Sequence, residues 1–209
     1  MEIGRPAPGE EMNLGEVTVP RVAATVMLLR GRDHTLEVLL VRRNPSARFM
    51  GGAWVFPGGA VDRAEGEGQA ALRAAAVREL REEAGIELPD EHELVLFSRW
   101  ITPAQVKIRF DTWFYLAAAP AGAEPEPDGA EVVDARWLAP QVALDASQAG
   151  ELFLVFPTIK HLEQLASFAS AVALLDHARG RDVRPVEPRV VSSGEMARIV
   201  LPGEPGYED

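Results

Sequence analysis

The chain is most constrained by residues 54–86, WVFPGGAVDRAEGEGQAALRAAAVRELREEAGI. A short apolar strand, Trp54-Val55-Phe56, runs into Pro57-Gly58-Gly59, then a loop, then a helical run carrying Glu79, Glu82 and Glu83. Two adjacent glycines let the backbone turn sharply and approach a ligand without a Cβ in the way. Spacings of three and four bring the glutamates to one helix face. Like charges there repel by roughly a few tenths of a kcal/mol per pair, and the macrodipole disfavours anions near a helix C-terminus. A divalent cation removes both objections, because Mg²⁺ is a hard ion that takes carboxylate oxygens and keeps other positions for water or phosphate. The helix alone reads equally as a solvated acidic face, with Arg78 and Arg81 as surface partners.

Pattern separates the two readings. The segment resembles the box that defines the Nudix hydrolases: Gly, five residues, Glu, seven residues, Arg-Glu-apolar, one residue, Glu-Glu, one residue, Gly-apolar. Gly59 and Glu65 fit its first half, and Arg78-Glu79-Leu80-Arg81-Glu82-Glu83-Ala84-Gly85-Ile86 fits its second half at every position. Twelve residues separate the halves where the pattern has seven. The extra five fall around Gly66-Glu67-Gly68-Gln69-Ala70 and read as a longer loop, since Gly is poor inside a helix. The insertion leaves the role of Glu65 open.

A second resemblance lies just upstream. Leu39-Leu40, Arg43, Arg48, Gly52 and Phe56-Pro57-Gly58-Gly59 match the spacing of the motif that precedes the box in coenzyme A diphosphatases, with Val41 and Asn44 in place of its Thr and its Ser/Ala. The wording of residues 49–56 is similar to the peroxisomal branch and its bacterial relatives, which also carry an insertion in the box. Arg presents a planar fork suited to phosphates, of which coenzyme A has three. Arg43 and Arg48 read otherwise as surface arginines balancing an acidic protein.

The 209 residues carry 21 Lys and Arg against 32 Asp and Glu, a formal net charge of −11. Such a balance argues against a nucleic-acid partner, and an anionic substrate would need a local metal and local Arg or Lys. With no Cys there is no disulfide framework and no thiolate metal site. No apolar run approaches the roughly 20 residues that span a bilayer, and residues 1–6 lack the apolar core of a signal peptide. A cytoplasmic protein with no membrane contact is expected.

Residues 1–18 read as a flexible N-terminal arm, 19–180 as the main domain, and 181–209 as an extension. Strands are expected at 22–29 and 36–42 as a hairpin, and then at 94–101, 110–116 and 131–138. Turns are expected at 31–34 and 89–91, and an exposed loop at 117–129. Helical signals start at Pro140 and, after Pro157-Thr158, run as one amphipathic helix over 159–178 with His161 on its surface. Trp113, Phe114 and Tyr115 read as core or as a base-stacking platform. A terminal hairpin is expected over 189–201, broken at Ser193-Gly194, with a tail from Gly203.

The resemblance implies the Nudix fold, an α/β/α sandwich with a mixed sheet, and hydrolysis of a nucleoside diphosphate linked to another moiety with Mg²⁺ or Mn²⁺. It implies metal binding by Glu79, Glu82, Glu83 and the Gly59 carbonyl, with Arg78 orienting a carboxylate and the general base being either one of these glutamates or Glu131. Glu131, just ahead of a Trp-bearing strand, falls where the family often has a further ligand or general base; Asp128 and Asp134 are rivals, and a plain loop acid is the alternative. Arg43, Arg48, Arg109, Gly58 and Gly59 are the candidate substrate contacts, with Lys107 and Arg109 readable also as turn-edge charges. Coenzyme A or an acyl derivative is the first substrate reading; NADH, ADP-ribose or dinucleoside polyphosphates follow, then a binding module without turnover. A homodimer is the expected assembly.

Overall fold

The computed structural model describes residues 13, 15–32, 34–89, 93–193 and 196–207, so residues 1–12 and 14 of the expected 1–18 arm and Asp90-Glu91 of the 89–91 turn lie outside the described residues, as do Asp33, Gly194 and 208–209. Its elements are β1 (Arg21–Arg30), β2 (Glu37–Arg43), β3 (Trp54–Val55), β4 (Gly58–Ala60), a 3-10 turn at Arg63–Glu65, α1 (Gly68–Ala84), β5 (Val95–Ile101), β6 (Phe110–Ala118), β7 (Val132–Leu138), α2 (Pro140–Gln148), α3 (Phe156–Leu165), α4 (Ala171–Arg179), β8 (Pro185–Val186), β9 (Arg189–Ser193) and β10 (Met196–Val200).

The main sheet is mixed. β1 runs parallel to β6, and β5 parallel to the short β8, while β1–β2, β1–β4, β2–β3, β2–β7 and β5–β6 are antiparallel. β1 and β2 touch as a hairpin only at Leu29↔Val38 and Arg30↔Glu37, after which β1 diverges and its first half pairs with β4. That divergence opens the gap into which the glycine segment fits.

Alternation along β1 sends Met27 and Leu29 to one core and Ala24, Val26 and Leu28 to the other. The second core is closed by Leu72, Ala75, Ala76 and Leu80 of α1, and the first by α2, α3 and α4. The result is a sheet between helical layers, the α/β/α sandwich that the sequence implied.

Three local expectations are corrected. First, α1 begins at Gly68, so Gly68, Gln69 and Ala70 of the insertion are helical. Gln69 helps to anchor that extra turn, accepting a hydrogen bond from the Tyr115 hydroxyl at 3.1 Å. Second, the single helix expected over 159–178 is two. α3 ends at Leu165 and α4 starts after Ser170, whose hydroxyl accepts the Ala173 N–H as an N-cap. Third, His161 is fully buried, within 4.2 Å of the Phe114 ring and 5.4 Å of the Trp100 ring, centroid to centroid.

Tyr115 and Phe114 are core residues; Trp113 is partly covered, beneath the Arg99 guanidinium. Beyond β8, β9 and β10 pair as a separate two-stranded hairpin. The described part of the tail is docked, its Tyr207 hydroxyl donating to the Glu187 carbonyl at 2.8 Å.

Candidate active site

Gly58 and Gly59 were expected as a turn, but they lie in strand β4 with no left-handed φ at either position. Close approach explains both glycines. A Cβ on Gly58 would fall 2.6 Å from the Ala24 carbonyl oxygen, and one on Gly59 would fall 2.5 Å from Cδ of Glu79. The second glycine therefore makes room for the first glutamate of α1. Gly58 holds another, its N–H donating to Glu83 Oε2 at 2.9 Å.

Arg78 ties the acids together. Its Nε donates to Glu65 Oε1 at 2.9 Å, its Nη1 to Glu79 Oε1 at 2.8 Å and Glu82 Oε2 at 2.9 Å, and its Nη2 to the Ala60 carbonyl at 3.1 Å. Hydrogen bonding, to Glu65 first, raises the guanidinium further above its ordinary value. The five extra residues of the box therefore leave Glu65 in reach of Arg78. Glu65 also accepts the Asp62 N–H at 2.7 Å, closing a capping box around the 3-10 turn.

The three glutamates of α1 differ in environment. Glu82 is 51% exposed at the rim, Glu79 is 13% exposed, and Glu83 is buried at 3%. Burial pushes the Glu83 carboxyl up to about 8, against the pull of the Gly58 N–H and with Glu79 adding repulsion. Burial likewise raises Glu79, against Arg78. Desolvated carboxylates at the end of a helix are costly unless a cation joins them.

The surrounding loops contribute both signs of charge. Arg43, at the end of β2, lies close enough to Glu83 to favour its ionised form, and its Nε donates to the Phe49 carbonyl at 3.3 Å. Exposed Glu131 pushes both Glu79 and Glu83 further up, so it lies within electrostatic reach of the same acids. Its rivals are engaged elsewhere: Asp128 accepts the backbone N–H groups of Glu131 and Val132, and Asp134 pairs with Arg136 at 2.8 Å.

Arg48 sits exposed on the 44–52 loop. Arg109, expected to face phosphate, does not. It is 7% exposed, and its donors go to the Thr102 carbonyl, the Thr18 carbonyl and Glu187 at 2.9, 2.9 and 2.7 Å. A buried guanidinium must satisfy its donors, and this one does so by joining three chain segments.

Among the described residues, no group of three His, Asp or Glu side chains is arranged to hold a metal ion, and Glu79 and Glu82 are both bonded to Arg78. Glu79 and Glu83 nevertheless supply hard oxygen donors of the type that Mg²⁺ or Mn²⁺ takes, beside a backbone stripped of side chains. The donor chemistry fits a divalent cation once Glu82 rotates inward.

Residues 19–156 match the NUDIX domain family. The chain belongs to the Nudix family. Nudix hydrolases act on pyrophosphate bonds and generally use divalent metal ions such as Mg²⁺ or Mn²⁺. Over 192 residues this Nudix chain is 30% identical to the putative nudix hydrolase 7 of Caenorhabditis elegans, a match covering 74% of the chain and 64% of that protein. The chain thus spans a little under two thirds of that curated relative. A NUDIX hydrolase crystal structure from Alicyclobacillus acidocaldarius aligns with TM-score 0.68 at 28% identity, covering 76% of this chain and 96% of the other. The NUDIX domain of NrtR from Shewanella oneidensis, solved in complex with ADP ribose, shares the fold with TM-score 0.54 at 22% identity, over 72% of this chain and 88% of that one.

Sequence reasoning missed one feature of this site and one of the core. The fastening of Glu131 by Asp128 carries a weak signal, an acid three residues ahead within a Pro/Gly loop. Burial of His161 was signalled by Thr158, His161, Leu162 and Leu165, which follow helical i, i+3, i+4, i+7 spacing.

Proposed function

We propose that the chain is a metal-dependent diphosphohydrolase acting on a nucleoside diphosphate linked to another moiety, with coenzyme A or acyl-coenzyme A as substrate. The observation that carries the reading is the pair of desolvated carboxylates, Glu79 and Glu83, set against Gly58 and Gly59 with Arg43 facing them. The finer choice of substrate rests on the spacing of Leu39-Leu40, Arg43, Arg48, Gly52 and Phe56-Pro57-Gly58-Gly59.

Glu79, Glu82, Glu83 and the Gly59 carbonyl would hold the cation, whose chemistry when bound would be charge neutralisation at the diphosphate and a lowered pKa for the attacking water. Arg78 holds Glu79 and Glu82 from one guanidinium, and Glu82 turns inward from that contact to reach the cation. Arg43 and Arg48 present forked donors to phosphate oxygens. Glu131 takes a proton as water oxygen bonds to phosphorus, and the bridging oxygen leaves with the electron pair of the broken P–O bond. Trp54-Val55 pairs with β2 and Phe56 is buried in the core, so the chain enters the glycine segment from an anchored strand.

The test is a panel of coenzyme A, NADH, ADP-ribose and diadenosine tetraphosphate with Mg²⁺ and with Mn²⁺, products resolved by mass. Release of 3′,5′-ADP from coenzyme A at far better efficiency than AMP from NADH or ADP-ribose supports the reading. A reversed preference assigns the same chemistry to another diphosphate, and binding without turnover across metals and pH overturns the enzyme.

A further inference from the structure

The loop that delivers Glu131 is fastened along its length. Ala119 N–H donates to the Leu29 carbonyl at 2.7 Å, and Glu126 N–H donates to the Ala84 carbonyl at 2.8 Å, binding the loop to the C-terminal end of α1. Pro125 and Pro127 flank Glu126 and stiffen that crossing. The chain then tightens around Asp128. Its Oδ2 accepts the Glu131 N–H at 3.0 Å, its Oδ1 accepts the Val132 N–H at 2.8 Å, and Gly129 N–H donates to the Val132 carbonyl at 2.9 Å. Gly129 takes a left-handed φ of 75°, which suits glycine at this turn. From the other side Asn44, just past β2, donates its backbone N–H to the Glu131 carbonyl and its Nδ2 to the Ala130 carbonyl, both at 2.8 Å.

Glu131 is thus bonded through its N–H to Asp128 and through its carbonyl to Asn44. It is exposed, and nothing among the described contacts holds its side chain. Its position relative to Glu79 and Glu83 therefore depends on its backbone. A loop acid serves as a base only when held within a fraction of an ångström of its proton.

We propose that Asp128, with Asn44 opposite, is a positioning residue that sets the backbone of Glu131 and so aims its carboxylate at the acids of α1. This rests on the reading of Glu131 as the base. Hydrogen bonds to the Asp128 carboxylate accord with it: burial alone would raise the group, yet the N–H groups of Glu131, Val132 and Ala130 hold it below its ordinary value.

The test is a double-mutant cycle of Asp128→Ala and Glu131→Gln, assayed with coenzyme A and ADP-ribose in Mg²⁺, and paired with amide hydrogen exchange on the free protein. The expected result is that Asp128→Ala lowers kcat about tenfold with little change in KM, and costs nothing further in the Glu131→Gln background. In the free protein, exchange at Glu131 and Val132 should accelerate while the amides of α1 stay protected. Asn44→Ala, on a separate element, should give the same pattern if Asp128→Ala proves too unstable to assay. Equal losses in both backgrounds, or unaltered exchange at Glu131 and Val132, would overturn the proposal. If Glu131→Gln itself is as active as the parent, the base assignment falls and takes the positioning role with it. If Glu131→Gln is impaired and Asp128→Ala is not, the positioning role alone falls.

Discussion

The Glu79 carboxylate occupies the space in which a side chain at residue 59 would begin, 2.5 Å separating the place of that Cβ from Glu79 Cδ. Two residues 20 apart in sequence, one on a strand and one on a helix, here meet in one volume. Gly59→Ala should therefore displace Glu79 and not merely stiffen the strand. The expected outcome is a fall in kcat of about 100-fold with a stability cost of about 1–3 kcal/mol, read by steady-state kinetics and urea unfolding.

Arg78 supplies five hydrogen bonds to three glutamates and a carbonyl from one planar group. Lys keeps the charge but has a single nitrogen and no fork. Arg78→Lys should retain the fold, lose about tenfold or more in kcat, and weaken Mn²⁺ binding as Glu79 and Glu82 lose their common partner. Kinetics together with Mn²⁺ titration check it.

Arg43 and Arg109 were grouped as phosphate contacts, and the structure separates them. Arg43 faces Glu83, whereas Arg109 is spent on Thr18, Thr102 and Glu187. Arg43→Ala should raise KM about tenfold at near-constant melting temperature. Arg109→Ala should cost about 2–3 kcal/mol of stability and leave KM alone, because it strands a partner and two carbonyls without a donor.

His161 sets an acid limit. Its Nδ1 lies 2.7 Å from the Pro157 carbonyl, which only accepts, so Nδ1 carries the proton and Nε2 accepts from the Ser98 hydroxyl at 2.6 Å. Burial pushes the ring down to about 4 from 6.5, against the Pro157 carbonyl, with Arg181 adding repulsion. The unfolded chain therefore binds the proton first. Stability is flat above about pH 7, falls as pH drops through 6.5, and levels off below about 4. Between pH 7.5 and 5 this group should remove about 2 kcal/mol. Urea unfolding at both values should show that difference shrink in His161→Gln.

What was legible in the sequence was what is local in the chain. The acids of α1 follow one another at helical spacing, and β1, β2, β5, β6 and β7 are apolar runs bounded by turn residues, so both could be read without knowing what they touch. The strand character of Gly58-Gly59 could not, because it depends on β1 leaving β2 and on Glu79 arriving from another element. The apolar spacing of 159–178 continued across Ser167 and Ser170, which hid the end of α3 even though Ser170 is a good N-cap. Arg109 misled for a related reason: a charged residue beside a turn reads as solvent-facing until a C-terminal extension brings Glu187 over it.

The central claim is that Glu83 is buried to grip a cation, at a cost to the fold. Mn²⁺ titration and thermal melting of metal-free Glu83→Gln at pH 8 test it most directly. The account expects Mn²⁺ binding at least about tenfold weaker than the parent, with melting unchanged or higher, since the amide still accepts the Gly58 N–H and no longer has a charge to bury. Parental Mn²⁺ affinity together with a lower melting temperature would contradict it.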